Sequence, residues 1–294
     1  MQRTTRPLTV LKKRCLQASN VRVFSRALAT AGTAEQDCRT PPSAGKKLYE
    51  THIPISKIER TVLTAASAVA ALNNPLRGGK SNACRSTLVF MLFEIDMIAT
   101  LGEATGRVFL ARMRDQMLTS DVGRRILRER PVINTKTLDF DELKKTCAPG
   151  TFGQTYISWL EAEGVTPDTR CDVKYVDDEE LAYVIKRYRE IHDFFHTLTG
   201  LGVTVEEEIA LKWFEWAQTG LPMTMLASVF GPLRMTWPER KRLYTGYVPW
   251  ALQCGASCTP LMNVYFEEHF HTPLDEFRKQ LGITLPPQYP IHDK

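Results

Sequence analysis

From Ile53 onward, apolar residues in this chain recur at intervals of three and four, and period-two alternation is nearly absent. That pattern predicts helices almost throughout. Ile55, Ile58, Val62, Leu63, Ala66, Val69 and Ala70 form the first series. With Ala65, Ala68 and Ala71, it predicts a tightly packed core helix from Ile53 to Leu72. Met97, Leu101, Val108, Met113 and Met117 form a looser second series. Ser120 is placed to cap a short helix that ends at Arg128, before Pro131. Asp139 to Lys145 and Tyr156 to Glu163 read as two more, parted by the Pro149-Gly150 turn.

The best-defined pattern begins at Asp177-Asp178, acids suited to the free N–H groups and dipole of a helix start. Leu181, Val184, Tyr188, Ile191, Phe195 and Leu198 then form an apolar stripe, and Gly200 and Gly202 end the helix. Thr204-Val205-Glu206-Glu207 reads as a capping box opening a second helix, through Trp213 to about Ala217. Two helices joined by so short a loop are expected to lie antiparallel. The fold class expected is all-α: one helical domain over 49–294 containing this hairpin.

Composition changes the picture only at the N-terminus. The chain has 294 residues, 43% hydrophobic and 24% charged, ordinary for a globular protein. Its formal charge of +5 suggests a nucleic-acid partner, but residues 1–34 hold seven basic residues and no acid. Removing those seven from 38 leaves 31 basic against 33 acidic residues, so the body makes no electrostatic case for nucleic acid. The tail is Arg-rich and Ser/Thr-rich, with Leu8, Leu11, Leu16 and Val23 on one helical face. It reads as a cleavable mitochondrial presequence, cut after Phe24, followed by a linker over 35–48. None of the seven cysteines forms a CxxC pair, and Cys254 and Cys258 read as core thiols. No apolar run approaches the ~18 residues that span a bilayer.

The residues that carry chemistry lie on the hairpin. His192 and His196 are i,i+4 and share a face, Asp193 lies on the adjoining strip, and Glu208 opens the following helix. Two imidazoles and two carboxylates meeting at one point would make a divalent-cation site. The spacing alone leaves open a chance surface pair of histidines, since Glu208 sits in a run of three glutamates. It also leaves open whether Asp193 is a ligand or orients His196.

A longer set of residues narrows this. Glu180-Leu181-Ala182-Tyr183 and Arg187-Tyr188-Arg189-Glu190 precede His192-Asp193-Phe194-Phe195-His196, then eleven residues, then Glu208. Lys212-Trp213-Phe214-Glu215 and Gln218-Thr219-Gly220-Leu221-Pro222-Met223 follow. With His52-Ile53-Pro54, Leu101-Gly102-Glu103, Gly150-Thr151-Phe152-Gly153 and Pro249-Trp250-Ala251, the chain resembles the coenzyme Q biosynthesis protein 4 family over roughly residues 49–282. That family's signature is HDxxH, eleven residues, and Glu.

The resemblance implies an α-helical fold and a zinc-type site at His192, Asp193, His196 and Glu208. Iron or manganese suits the same donors. It further implies a peripheral place on the matrix face of the mitochondrial inner membrane, within the multi-protein coenzyme Q complex, as a homo-oligomer. The implied activity is removal of the C1 carboxyl from 4-hydroxy-3-methoxy-5-polyprenylbenzoate, a metal-dependent carboxy-lyase reaction. The competing class is a non-catalytic, prenyl-lipid-binding organiser of that complex. The alanine-rich helix from Ile53 offers an alternative role as lining for the prenyl tail. Lys186, Arg187 and Arg189 read either as a contact for anionic head groups or as a solvated, salt-bridged face. His269 and His271 are expected to point apart on a helix and stay out of the site. Trp213, Phe214 and Trp216 are expected in the core.

The sequence departs from the family in two places. Glu207 stands where glycine is usual, and residues 79–95 have no family counterpart between Gly78 and Asp96. The second segment reads as a translated intron, with a genuine inserted loop as the alternative. Gly79-Lys80-Ser81 can encode a GTAAGT donor and Ile95-Asp96 a TAG acceptor in the same phase.

Overall fold

The computed structural model describes residues 47–73, 99–170 and 172–289. The presequence, nearly all of the linker, Met97 and the segment 79–95 lie outside the described residues. Among those described the architecture is all-α, and the one extended pairing is an isolated antiparallel bridge between Thr151 and Pro273.

Local signals set most helix ends. Helix α1 spans Lys57–Asn73, and α2 spans Arg107–Leu118 after a helical stretch at 99–105 that breaks at Gly106. Ser120 caps α3 (Asp121–Glu129) by accepting from the Gly123 N–H, and Asp139 caps α4 (Phe140–Thr146) through the Glu142 N–H. Helix α5 spans Phe152–Glu163, starting four residues before the predicted Tyr156 because Thr151 serves as its cap. Helices α6 (Glu179–Thr199) and α7 (Val205–Thr219) form the predicted pair, capped by Asp178 and Thr204. Gly200, at φ +72°, turns the chain between them. Next come α8 (Pro222–Phe230), α9 (Trp237–Arg242), a π-helical turn at Leu243–Tyr247, α10 (Val248–Ser257) and α11 (Leu274–Leu281).

Helix α6 runs through the middle of the core. Its predicted stripe is buried, but so is almost every other position. This overturns both readings of its basic residues. The Arg187 side chain is wholly buried in a two-pronged pair with Glu267, at 2.6 and 2.9 Å. Arg189 is buried against Glu103 at 2.9 Å and the Ala99 carbonyl at 2.7 Å. Only Lys186 of the three reaches solvent, 3.9 Å from Glu190. Buried cations need such partners because losing hydration is costly.

Helix α1 also departs from expectation. Ile58 and Val62 are 78% and 63% exposed, so α1 is not the packed core helix that its alanines suggested. Small side chains allow close approach, but no described element covers this face. Val108 is exposed as well, whereas Leu101, Met113 and Met117 are buried. His269 and His271 lie not on a helix but just after the 3-10 turn Phe266–Glu268. Phe214 is core, with Trp213 and Trp216 half-buried beside it. Cys254 and Cys258 are buried thiols.

An aromatic cluster fixes α5 against α6. The Phe152 ring lies 5.2 Å from Phe194, 5.8 Å from Phe270 and 5.1 Å from Phe277. The backbone of Gly153 donates to the Phe270 carbonyl at 2.8 Å. A Cβ there would meet that oxygen at 2.9 Å and the Cys147 sulfur at 2.7 Å, so only glycine permits the approach. This clamp fixes the start of α5 against α6, two turns before Trp159.

Candidate metal centre

Contacts between α6 and α7 run in antiparallel order: His196 meets Glu208, and His192 and Tyr188 meet Glu215. The spacing follows from the helix repeat. His192 precedes His196 by one turn, and Glu215 follows Glu208 by two, so the four side chains face one another as two rows. One donor atom each from His192, His196 and Glu208 lies within 4.8 Å of the others. The imidazole rings are 4.9 Å apart and nearly perpendicular.

Each imidazole is held by its inner nitrogen. His196 Nδ1 donates to the Leu201 carbonyl at 3.1 Å. Carbonyl oxygen only accepts, so Nδ1 carries the proton and Nε2, 3.3 Å from Glu208 Oε1, is left as the donor atom. His192 Nδ1 meets a Glu215 carboxylate oxygen in the same fashion. Glu215 is fully buried and also accepts from the Tyr188 hydroxyl at 2.8 Å and Lys212 Nζ at 2.7 Å. Lys212 lies 3.4 Å from His192 Nδ1, but Glu215 is its nearer partner.

Electrostatics favour anionic glutamates. Burial pushes Glu208 up, yet hydrogen bonding and charge from His196, with His192 and Lys212 behind it, bring it down to about 2. Burial acts the same way on Glu215, and Lys212 and His192 hold it well below the usual carboxylate range. Burial lowers His192, with Lys212 adding to the effect. For His196 burial is outweighed by Glu208, which raises it. His196 Nε2 faces Glu208 Oε1 at 3.3 Å, and a cation bound between them would take the place of a proton there.

The residues fit a divalent cation. Ligands bound at about 2.0–2.2 Å from one ion would need only a small inward adjustment from the observed separations. Two imidazole nitrogens with fixed tautomers and a carboxylate suit zinc, iron or manganese.

Asp193 stands apart from the three clustered residues. Its buried carboxylate is paired with Nη2 of Arg170 and lies one residue from His192. The three glutamates are each accounted for. Glu206 pairs with Arg242 at 3.0 and 2.5 Å, Glu207 accepts from Thr204 Oγ1 at 2.5 Å, and Glu208 faces His196. The glutamate standing in the glycine position is thus spent at the helix cap.

Sequence reasoning missed four members of this site: Glu215, Lys212, Trp159 and Arg170. Glu215 and Lys212 had a legible signal, at seven and four residues after Glu208 on the same helical face. Trp159, whose ring stacks on His196 at 4.9 Å, and Arg170 had none, because they come from other parts of the chain.

Comparison with known proteins identifies the family. The model of the family "Coenzyme Q (ubiquinone) biosynthesis protein Coq4" matches residues 49–287. Curated relatives named "Ubiquinone biosynthesis protein COQ4, mitochondrial" include one from Laccaria bicolor, 45% identical over 250 residues, covering 85% of this chain and 76% of its own. One from Ajellomyces dermatitidis is 47% identical over 249 residues, 84% of this chain and 79% of its own. Another, from Yarrowia lipolytica, is 45% identical over 242 residues, 82% and 86% of the two chains. The crystal structure of a candidate ubiquinone biosynthesis protein from Nostoc punctiforme PCC 73102 has a TM-score of 0.56. It is 19% identical and covers 76% of this chain and 97% of that one, a likeness of fold.

Proposed function

Since the chain belongs to the Coq4 family of coenzyme Q (ubiquinone) biosynthesis proteins, we propose that it removes the C1 carboxyl of 4-hydroxy-3-methoxy-5-polyprenylbenzoate in a metal-dependent reaction. The observation that carries this reading is the pair of imidazoles whose inner nitrogens are fixed by Leu201 and Glu215, with His196 Nε2 facing Glu208 and a donor atom of His192 within 4.8 Å of both residues. Surface histidines do not have such support. His192, His196 and Glu208 would hold the ion, and Asp193 of the family signature would join them as the fourth ligand only by turning from its partner Arg170.

A divalent cation bound there would supply Lewis acidity at an oxygen of the substrate. Loss of CO2 breaks the bond from C1 to the carboxyl carbon and leaves its electron pair on the ring, where a proton replaces the lost group. The chain's own part is to orient and exclude water. Glu215 and Leu201 lock the imidazoles, and the Trp159 ring covers His196 from one side. His192 and Glu208 keep 13% and 20% of their side chains exposed while His196 keeps 1%, so a substrate enters from the His192–Glu208 side.

Several features support a peripheral place on the matrix face of the inner membrane. The curated relatives are named mitochondrial, and among the described residues no helix is long and apolar enough to cross a bilayer. A groove of about 580 Å³ is lined by Val229, Pro232, Leu233, Trp237 and Tyr244, with Arg240 and Lys241 beside them. Trp237 and Leu233 are 76% and 68% exposed, and an apolar patch flanked by cations suits a bilayer of anionic lipid. Contact there would bring the chain to the lipid in which a polyprenylated substrate is dissolved. The exposed face of α1 supplies apolar surface for self-association and for other members of a coenzyme Q complex.

The organiser reading is favoured by that same uncovered face of α1. Carbon dioxide release from the prenylated substrate by purified chain, with and without zinc, separates the two. Metal-dependent release, lost in Glu208→Ala, is expected. No release by correctly folded, metal-loaded protein would leave the organiser role. Analysis of C1 in the product, bearing hydrogen or hydroxyl, tells simple from oxidative loss.

A further inference from the structure

Beside the metal cluster lies a group of hydrogen-bond donors with nothing to donate to. Arg170 Nε, Trp159 Nε1 and the Tyr156 hydroxyl are each sealed from solvent and have no partner. Buried donors are nearly always satisfied, because leaving one unpaired forfeits its hydration without return. These three are neighbours of the site. Trp159 stacks on His196, and Tyr156 sits one turn earlier on the same helix. Arg170 holds Asp193 through Nη2 alone, and Tyr156, Glu208 and Asp193 all act on its charge.

The unsatisfied atoms share one chemistry. Nε and Nε1 only donate, and the hydroxyl needs an acceptor for its proton, so the missing group is an acceptor. Arg170 keeps a third of its side-chain surface (33%) open, and the partly exposed His192 and Glu208 belong to the adjoining cluster. A guanidinium has five N–H bonds in a planar fork, and pairing with Asp193 uses one nitrogen. Its remaining N–H bonds would take a second carboxylate, which the rings of Trp159 and Tyr156 would flank.

We propose that Arg170, with the indole N–H of Trp159 and the Tyr156 hydroxyl, anchors the carboxylate of an aromatic acid beside the His192–His196–Glu208 cluster. The proposal rests on the reading above that the substrate is a substituted benzoate, and it names the positioning residue that this reading lacks. Arg170 fixes the carboxylate and hence which ring carbon faces the cluster. Trp159 and Tyr156 add donors that a neutral group of the same shape would leave unpaired.

The test is binding, measured by calorimetry on the zinc-loaded full chain. The probe is 4-hydroxy-3-methoxybenzoate carrying one isoprene unit at C5, compared with its carboxamide. Wild type is expected to prefer the acid at least tenfold. Arg170→Lys, which leaves Asp193 a cation and so protects the fold, is expected to lose most of that preference at unchanged zinc content. Trp159→Phe keeps the stacked ring and is expected to lose several-fold. Equal affinity for acid and amide in wild type, or full preference in Arg170→Lys, would overturn the proposal. The reaction fails separately: preference for the acid through Arg170 without carbon dioxide release leaves the anchor standing and removes the decarboxylase. Release from Arg170→Lys with unchanged KM does the reverse.

Discussion

His192 Nδ1 and a Glu215 carboxylate oxygen are hydrogen-bonded where no solvent reaches the glutamate, two helical turns beyond Glu208. That bond decides which nitrogen of His192 is free, and it joins Tyr188 and Lys212 to the same carboxylate.

Glu215→Gln should therefore weaken metal binding without touching a ligand. An amide can present its N–H₂ to His192 and reverse the tautomer. A drop of about 10–100-fold in zinc affinity is expected, with near-wild-type helical content. His196→Ala should lose the ion outright. Metal titration with a chromophoric competitor checks both. Equal affinity in wild type and both variants would remove the metal centre.

Stability should depend on the Arg187–Glu267 pair. Glu267→Ala leaves a wholly buried guanidinium without its partner and should cost about 3–5 kcal/mol. Tm should fall by roughly 10 °C in a chain of this size. Replacing both, as Arg187→Met with Glu267→Leu, should recover most of the loss. Thermal denaturation reads the result, and a Glu267→Ala Tm within a degree or so of wild type would contradict it.

His269 should make the fold sensitive to mild acid. Its ring stacks on Phe277 at 4.6 Å, and burial lowers its pKa below the ordinary 6.5, opposed by Glu268. The neutral form is favoured on folding. The stability this gives is present above the unfolded value and is lost as pH falls through the folded one. Between about pH 7.5 and 5.5, wild type should lose more Tm than His269→Phe. Parallel curves for the two would show that the stacked imidazole contributes nothing to the pH profile.

Residues 79–95 should be absent from the mature protein. Excision from the second base of the Gly79 codon through the first base of the Asp96 codon keeps frame and rebuilds an aspartate after Gly78. Transcript sequencing is expected to find a dominant message without this stretch. A dominant message that retains it, with matching peptides from mitochondria, would make it a genuine insertion.

What the sequence determined by itself was local. Ser120, Asp139, Asp178 and Thr204 cap helices through N–H groups within one turn, and Gly200 stops α6 where a left-handed residue is needed. The shared face of His192 and His196 is equally local, a property of any α-helix. Tertiary structure decided how those faces are used. Arg170 and Asp193 are 23 residues apart, Arg187 and Glu267 are 80, and Arg189 and Glu103 are 86. No spacing rule connects such pairs. For this reason Arg187 and Arg189 read as surface charges and are buried, and Ile58 and Val62 read as core and are exposed. For the same reason Asp193 comes to rest on Arg170, as the burial of α6 leaves its charge to be met from another part of the chain.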